Sequence, residues 1–192
     1  MSKVHLKYIA IRLKHLLTSP EVEWNTIRMD ETGRIELFRN YIILPSILFS
    51  ILVFLFRLMS NDVMVSLGWG IINFIACTAG CYVCFRLTRE YLSNKTINSG
   101  TIALKLSVYS SAVFILFHSL AVGFPQNFIG DVMAILSLLS LRTLYIGLNT
   151  ISELNTRYKK SAVIIIGLLI ICTPIIITRL LTIIFRIPAI NA

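Results

Sequence analysis

Long runs of apolar residues recur along the chain, and short polar segments separate them. A run of roughly 18 or more apolar residues is long enough to cross the ~30 Å hydrocarbon core of a bilayer as a helix. The pattern predicts five such helices, which cover residues 37–58, 63–85, 102–124, 128–150 and 161–185. The sequence therefore predicts an all-α polytopic membrane protein with five transmembrane helices.

The first residues of the chain have a different pattern, in which apolar and charged positions recur at helical spacing. Residues 1–17 place leucine and isoleucine on one side and basic residues, including Arg12, on the others. This predicts an amphipathic helix that either lies in the cytoplasmic membrane interface or packs on the protein's own cytoplasmic loops. A second short helix is predicted to begin at Pro20, with Thr18 in a capping box, and to end near Gly33.

These two patterns divide the chain into two predicted parts. Residues 1–33 form a cytoplasmic or interfacial helical segment, and residues 34–192 form a five-helix membrane domain. Besides the N-terminal segment, lysine and arginine gather at residues 86–100 and 153–160. Basic connectors stay on the cytoplasmic side of a membrane. We therefore expect a cytoplasmic N-terminus and an external C-terminus.

Composition and charge point to the same class of protein. The chain has 192 residues, of which 56% are hydrophobic and only 14% are charged, whereas soluble domains average about 25% charged residues. The net charge of +9 is spread between apolar runs, and a nucleic-acid-binding module needs its basic residues on one water-facing surface. The expected partner of these cations is the lipid bilayer with its anionic headgroups, and nucleic acid is excluded.

Three cysteines cluster within the second predicted span. Cys77, Cys81 and Cys84 follow helical spacing, and small residues recur at every fourth position through Ala76, Gly80 and Cys84. Small side chains at this interval let transmembrane helices approach closely. A metal site would need additional histidine or carboxylate ligands, and the same helix offers none. The pattern therefore favours helix packing over metal binding.

The sequence contains no motif that would support catalysis. It has no HExxH, GxSxG, Walker-type or GxGxxG arrangement, and its three histidines are widely separated. We therefore predict that the protein is not an enzyme and has no catalytic, cofactor-binding or metal-binding residues.

Charged residues inside the fourth predicted span form a candidate polar site in the membrane. Asp131 and Arg142 share a helix face but lie roughly 16 Å apart, so they cannot pair directly. Tyr145 and Asn149 continue the same polar stripe by one and two turns. Ionisable residues within a membrane are costly, which makes Arg142 a candidate for function. The structural alternatives are that Arg142 reaches the inner headgroups or binds a carbonyl of a kinked helix, and that Asp131 caps the start of its helix.

Two short segments and the number of spans together resemble a known family. The segment LLTSPEVEWNTI (Leu16 to Ile27) precedes the spans, and LYIGLNTISELN (Leu144 to Asn155) leads through basic residues into the last one. With five spans, these features resemble the bacterial branch of the Yip domain family, which is named for eukaryotic relatives that interact with Ypt/Rab GTPases. The Asp-Leu-Tyr-Gly-Pro type motif of the eukaryotic branch does not occur in this sequence.

The resemblance implies a five-helix integral protein of the bacterial cytoplasmic (inner) membrane. The Leu16 to Ile27 segment and the absence of catalytic groups favour a non-enzymatic role, in which the protein organises the membrane or binds a membrane-protein partner or a second copy of itself. The interface motif would comprise Ser19, Pro20, Glu23 and Trp24. The alternative is a small transporter or channel component that uses Asp131 and Arg142, and it would require dimerisation because five spans do not divide into equal halves.

Overall fold

The structure is a computed structural model, and it describes residues 3–96, 98–125, 127–152 and 154–187. This part of the chain consists of helices and the turns between them, without strands. In chain order the helices are α1 (Lys3–Thr18), α2 (Pro20–Met29), α3 (Arg34–Arg57), α4 (Val63–Leu92), α5 (Ser99–Gly123), α6 (Phe128–Ile151) and α7 (Thr156–Ile184). The predicted all-α architecture is confirmed.

Five of the helices, α3 to α7, are long and apolar enough to cross a membrane. Two of them are longer than their apolar runs, because α4 continues to Leu92 and α7 already begins at Thr156. The expectation that residues 86–100 form a loop is therefore wrong for the first half of that stretch. The length of an apolar run indicates only the part of a helix that contacts lipid. The backbone hydrogen bonds of the helix can continue beyond that run into water.

Backbone interruptions occur in α3 and α6. The backbone of α3 widens to a π turn over Arg39–Ile43, where the N–H of Leu44 bonds to the carbonyl of Arg39. The next residue is Pro45, which has no N–H to donate, so a regular ladder is interrupted at this level. In α6 a turn at Ser137 separates two shorter helical pieces, and the Ser137 hydroxyl donates to the Ala134 carbonyl at 2.6 Å.

The innermost helix is α5, which packs against α3, α4, α6 and α7. Its residues 103–115 are buried without interruption. Many of them are small, and the Cys84 thiol of α4 lies 3.8 Å from the Ser107 hydroxyl of α5. Close approach through small and weakly polar side chains replaces the hydrophobic driving force that lipid does not supply.

Gly80, in the small-residue series of α4, lies at the contact of this helix with α7. A Cβ atom on Gly80 would lie 2.8 Å from Cγ and 3.2 Å from Cα of Pro174. Cys77, Cys81 and Cys84 are buried as free thiols and contact Ser107 and Ser119 of α5. The described residues contain no group of three or more histidine, cysteine or carboxylate side chains that could hold a metal ion.

Helices α1 and α2 pack on one end of the bundle. This end, which we call the basic end, is where α3, α5 and α7 begin and where α4 and α6 finish, and it carries Arg34, Arg39, Arg86, Arg89 and Lys160. Both N-terminal helices contact α6, and α1 also contacts α5. Helix α1 thus packs on other helices of the protein, and its placement in the membrane interface stays a prediction.

The predicted capping box at the start of α2 does not form. Thr18 is the last residue of α1, and its hydroxyl donates to the carbonyl of Lys14 at 3.0 Å. Ser19 takes the N-cap position of α2, without a side-chain capping bond. Because α1 includes Thr18, this residue is not available as the N-cap of α2.

We expect Gly80→Ala to destabilise the bundle, because the new methyl group would collide with the proline ring and backbone of α7. The expected loss is about 1–3 kcal/mol in the free energy of unfolding. Circular dichroism during unfolding in a denaturing detergent measures it. The matched control is Gly33→Ala, where a Cβ meets nothing within 4 Å. Equal stability of the two variants would contradict the close packing of α4 on α7.

Candidate functional site

A group of polar side chains is buried where α1 and α2 meet the spans. We call it the Arg12 cluster, and it comprises Arg12, Glu23, Asp30, Tyr41 and Tyr109. Helical spacing brings Arg12 to this position, since it lies on the same face of α1 as the buried residues Ile9 and Leu16. The sequence prediction that Arg12 lies on the polar side of α1 is therefore wrong.

The guanidinium of Arg12 is the centre of the cluster and is only 5% exposed. Its Nε donates to Oε1 of Glu23 at 2.7 Å, and its Nη1 donates to Oδ2 of Asp30 at 2.6 Å. Nη1 also lies 3.1 Å from the Tyr109 hydroxyl. One cation thus connects α1, both ends of α2 and the innermost span through charge-assisted hydrogen bonds.

These contacts stabilise the charged forms of Arg12 and Asp30. Burial disfavours the charged guanidinium, but the hydrogen bond to Asp30 and the interactions with Tyr109 and Tyr41 together outweigh it and raise the pKa of Arg12 above its ordinary value. Burial would likewise raise the pKa of Asp30, but hydrogen bonds from Thr32 and Arg12 outweigh it and hold that pKa below its ordinary value of 3.8. Arg12 and Asp30 therefore remain ionised at neutral pH.

Trp24 anchors α2 in the adjacent surface of α6. Its side chain is fully buried, and its Nε1 donates to the carbonyl of Thr143 at 2.9 Å. The ring lies edge-on to Tyr109 with centroids 5.9 Å apart. A Cβ on Gly147 would lie 2.4 Å from the indole. The absence of a side chain at Gly147 is therefore what makes room for the Trp24 ring.

Lys105 of α5 holds the other end of α2. Its Nζ donates to the carbonyls of Ile27 at 2.8 Å and Arg28 at 3.2 Å, in the last turn of α2. A cation at this position satisfies carbonyls that have no partner within the helix and complements the helix dipole. Lys105 is buried. It thus caps a helix, although its place in an apolar run suggests a side chain that extends to the headgroups.

A cavity of about 390 Å³ opens beside the Arg12 cluster. Its walls include Tyr8, Asp30, Glu36, Asn40 and Tyr41. Because Arg12 is already bound to two carboxylates, the cavity does not offer an unneutralised cation. The polar atoms of the cluster bind one another, so the cluster serves to join helices.

The predicted intramembrane polar site does not assemble inside the bundle. The side chains of Asp131, Arg142, Tyr145 and Asn149 are all exposed on the outside of α6. Arg142 Nη1 lies 3.5 Å from the carbonyl of Leu17 in α1. The functional role of these four residues stays a prediction, and a passage built from them would need a second copy of the chain.

The predicted interface motif lies at the start of α2, where three of its side chains are buried and one is exposed. Glu23 and Trp24 are buried against Arg12 and Thr143, and Pro20 is buried as well. Ser19 is exposed. Two of the four side chains therefore bind partners within this chain, and the role of the motif in binding another protein stays a prediction.

Sequence reasoning missed most of the Arg12 cluster. The signal for Arg12 was present, since it stands three residues after Ile9 and four before Leu16, in the middle of an apolar stripe. No such signal exists for Tyr41 and Tyr109, because a tyrosine in an apolar run fits a lipid-facing position equally well. Pairing between residues 97 positions apart requires knowledge of the packing.

We expect Arg12→Met to detach α1 and α2 from the basic end, because Glu23 and Asp30 would lose their buried counter-charge. Removing one partner of a buried ion pair costs about 3–5 kcal/mol. Hydrogen exchange at neutral pH should show faster exchange throughout both helices. The control is Lys14→Met, which removes an exposed cation from the same helix and should leave exchange unchanged. Similar exchange in both variants would contradict the role of Arg12.

Acid should loosen the same contact through Asp30. Because the pKa of Asp30 is lower in the folded protein than its ordinary value of 3.8, its carboxylate stabilises docking above that pH, and this contribution is lost as the pH falls through the folded pKa. The fluorescence of Trp24, measured in a Trp69→Phe background, should shift to the red below pH 3.8 as the indole becomes hydrated. Asp30→Asn should weaken this acid transition, and an unchanged transition would contradict the assignment.

Comparison with known families identifies the fold. The family model described as the Yip1 domain matches residues 14–179, which run from the C-terminal part of α1 to the C-terminal part of α7. Searches of the curated proteins and of the solved structures give no match. The matched region contains Trp24, Tyr109 and Thr143, which join α2 to the spans. With five apolar helices behind an N-terminal helical segment, this chain is an integral membrane protein that belongs to the Yip1 domain family.

Proposed function

We propose that this Yip-type membrane protein has a non-enzymatic role and organises the membrane or partner proteins through its N-terminal segment. The observation that carries the proposal is the anchoring of α1 and α2 on the basic end by the Arg12 cluster, Trp24 and Lys105. A segment held at several points presents a defined surface, and a preorganised surface binds a partner with a smaller entropy cost.

The outward face of α2 is the surface we assign to a partner. Val22 is 69% exposed and Met29 is 84% exposed, although both belong to a helix whose opposite face is buried. Ser19 continues this face at the start of the helix. In the proposed role Pro20, Glu23 and Trp24 fix the orientation of the interface motif, and the exposed side chains contact a membrane-protein partner or a second copy.

The basic end is the proposed cytoplasmic end. Arg34, Arg39, Arg86 and Arg89 are exposed there, and retention of basic segments in the cytoplasm orients membrane proteins. The opposite end carries fewer exposed arginines, Arg179 and Arg186, together with the exposed acids Asp62 and Asp131. In this orientation the N-terminus is cytoplasmic and the C-terminus is external, in the cytoplasmic membrane of a bacterium as the family resemblance implies.

Site-specific photo-crosslinking in intact cells tests the proposal. A crosslinking amino acid at position 22 should yield a discrete adduct with a partner protein or a second copy. The matched control is position 164, where Ile164 is 63% exposed on a membrane span and should contact only lipid. Arg12→Met should reduce the adduct at position 22 by loosening α2. Absence of an adduct at position 22, or an equal yield at position 164, would refute the proposed interface.

A further inference from the structure

A second open space lies at the basic end, on the side of the bundle rather than under α1 and α2. This groove has a volume of about 1000 Å³ and lies between the first turns of α3 and Tyr82 of α4. Its lining includes Arg34, Ile35, Glu36, Phe38, Arg39 and Tyr82. Apart from Glu36, none of these residues lines the cavity beside the Arg12 cluster.

The walls of the groove are largely apolar and open sideways. Ile35 is 84% exposed and Tyr82 is 45% exposed, and the Phe38 ring lies edge-on to Tyr82 with centroids 6.3 Å apart. On a helix that crosses a membrane, apolar side chains exposed in this way contact lipid. The groove is therefore open to the bilayer near its boundary with water.

Two arginines line the groove, and each keeps guanidinium N–H groups that no described residue uses as hydrogen-bond donors. The Arg34 guanidinium lies over the Phe85 ring, 4.6 Å from its centroid, and this stacking orients the fork without using its N–H groups. Arg39 donates from Nε to the Asn40 side chain at 3.4 Å. Neither belongs to the ion pairs found among the described residues.

The backbone and the charges of the groove favour an anion. Arg39 and Ile43, which line it, are the first and last residues of the π turn in α3, and such wide turns often occur at functional sites. Two arginines against the single carboxylate of Glu36 leave a net charge of +1 in the lining. Arg12, in contrast, is neutralised by Glu23 and Asp30.

We propose that this groove binds an anionic phospholipid from the bilayer leaflet at the basic end. The phosphate lies between Arg34 and Arg39, whose planar forks match phosphate oxygens. The beginning of the acyl chains lies along Ile35, Phe38 and Tyr82. The inference does not depend on the proposed partner surface of α2, which involves other residues.

A specific site differs from the general attraction of basic residues to headgroups. Lys159 and Lys160 at the start of α7 carry the same total charge as the two arginines, but they are not part of the groove lining. General attraction predicts that either pair contributes equally to lipid binding. A specific site in the groove predicts that only the arginine pair contributes to lipid binding.

Native mass spectrometry of the purified full chain, titrated with phosphatidylglycerol or phosphatidylcholine, tests this inference. We expect the wild type to retain one phosphatidylglycerol more strongly than phosphatidylcholine. The double variant Arg34→Gln and Arg39→Gln should weaken that binding about thirtyfold, from the usual contribution of a basic residue at a charged membrane surface. The charge-matched control Lys159→Gln and Lys160→Gln should bind like the wild type.

A third variant separates charge from geometry. Arg34→Lys with Arg39→Lys keeps both charges but removes the forked donors, so we expect intermediate binding. Circular dichroism should be unchanged in all variants, because both arginines are exposed. Equal loss in the lysine-pair control, or equal retention of phosphatidylcholine, would overturn the proposal. Displacement of the lipid by an equal concentration of inorganic phosphate would identify free phosphate as the ligand and would also overturn it.

Discussion

The buried guanidinium of Arg12 is the constraint on which the arrangement of the basic end depends. An ion removed from water loses several kcal/mol of hydration, and only well-placed counter-charges restore it. Glu23 and Asp30 supply them from the two ends of α2. Neither helix can move away alone without leaving a charge buried and unpaired. The N-terminal helices and the spans are consequently one packed unit at this end.

Different forces hold the two regions of the molecule together. Within the spans lipid competes for apolar surface, so association depends on close contact, as between Gly80 and Pro174. At the basic end water is present, and burial of an aromatic ring such as Trp24 contributes in the ordinary way. The polar contacts of Arg12 and Lys105 fix the orientation of α2, because they determine which turn of this helix faces which neighbouring helix.

The sequence was sufficient for the five spans and for the N-terminal helical segment, because each depends on a local pattern. It was insufficient for the Arg12 cluster, because its members come from separate helices and an amphipathic pattern assigns a cation to water. It also misplaced Lys105, whose partners are backbone carbonyls and therefore have no signature in sequence. The groove at Arg34 and Arg39 was equally hidden, since exposed arginines near a span are ordinary and only the packing of α3 against α4 forms its walls.

The long sequence separation within the basic end affects how the protein is made. Arg12 and Tyr109 are 97 positions apart, and Trp24 and Thr143 are 119 apart. A ribosome therefore completes α1 and α2 long before their binding surfaces on α5 and α6 exist. Until the fourth span has entered the membrane, the hydrated N-terminal segment has only the part of its docking site that α5 supplies. Complete docking of α1 and α2 on the basic end is consequently a late event in biogenesis, and it can occur only after the spans that they contact have assembled.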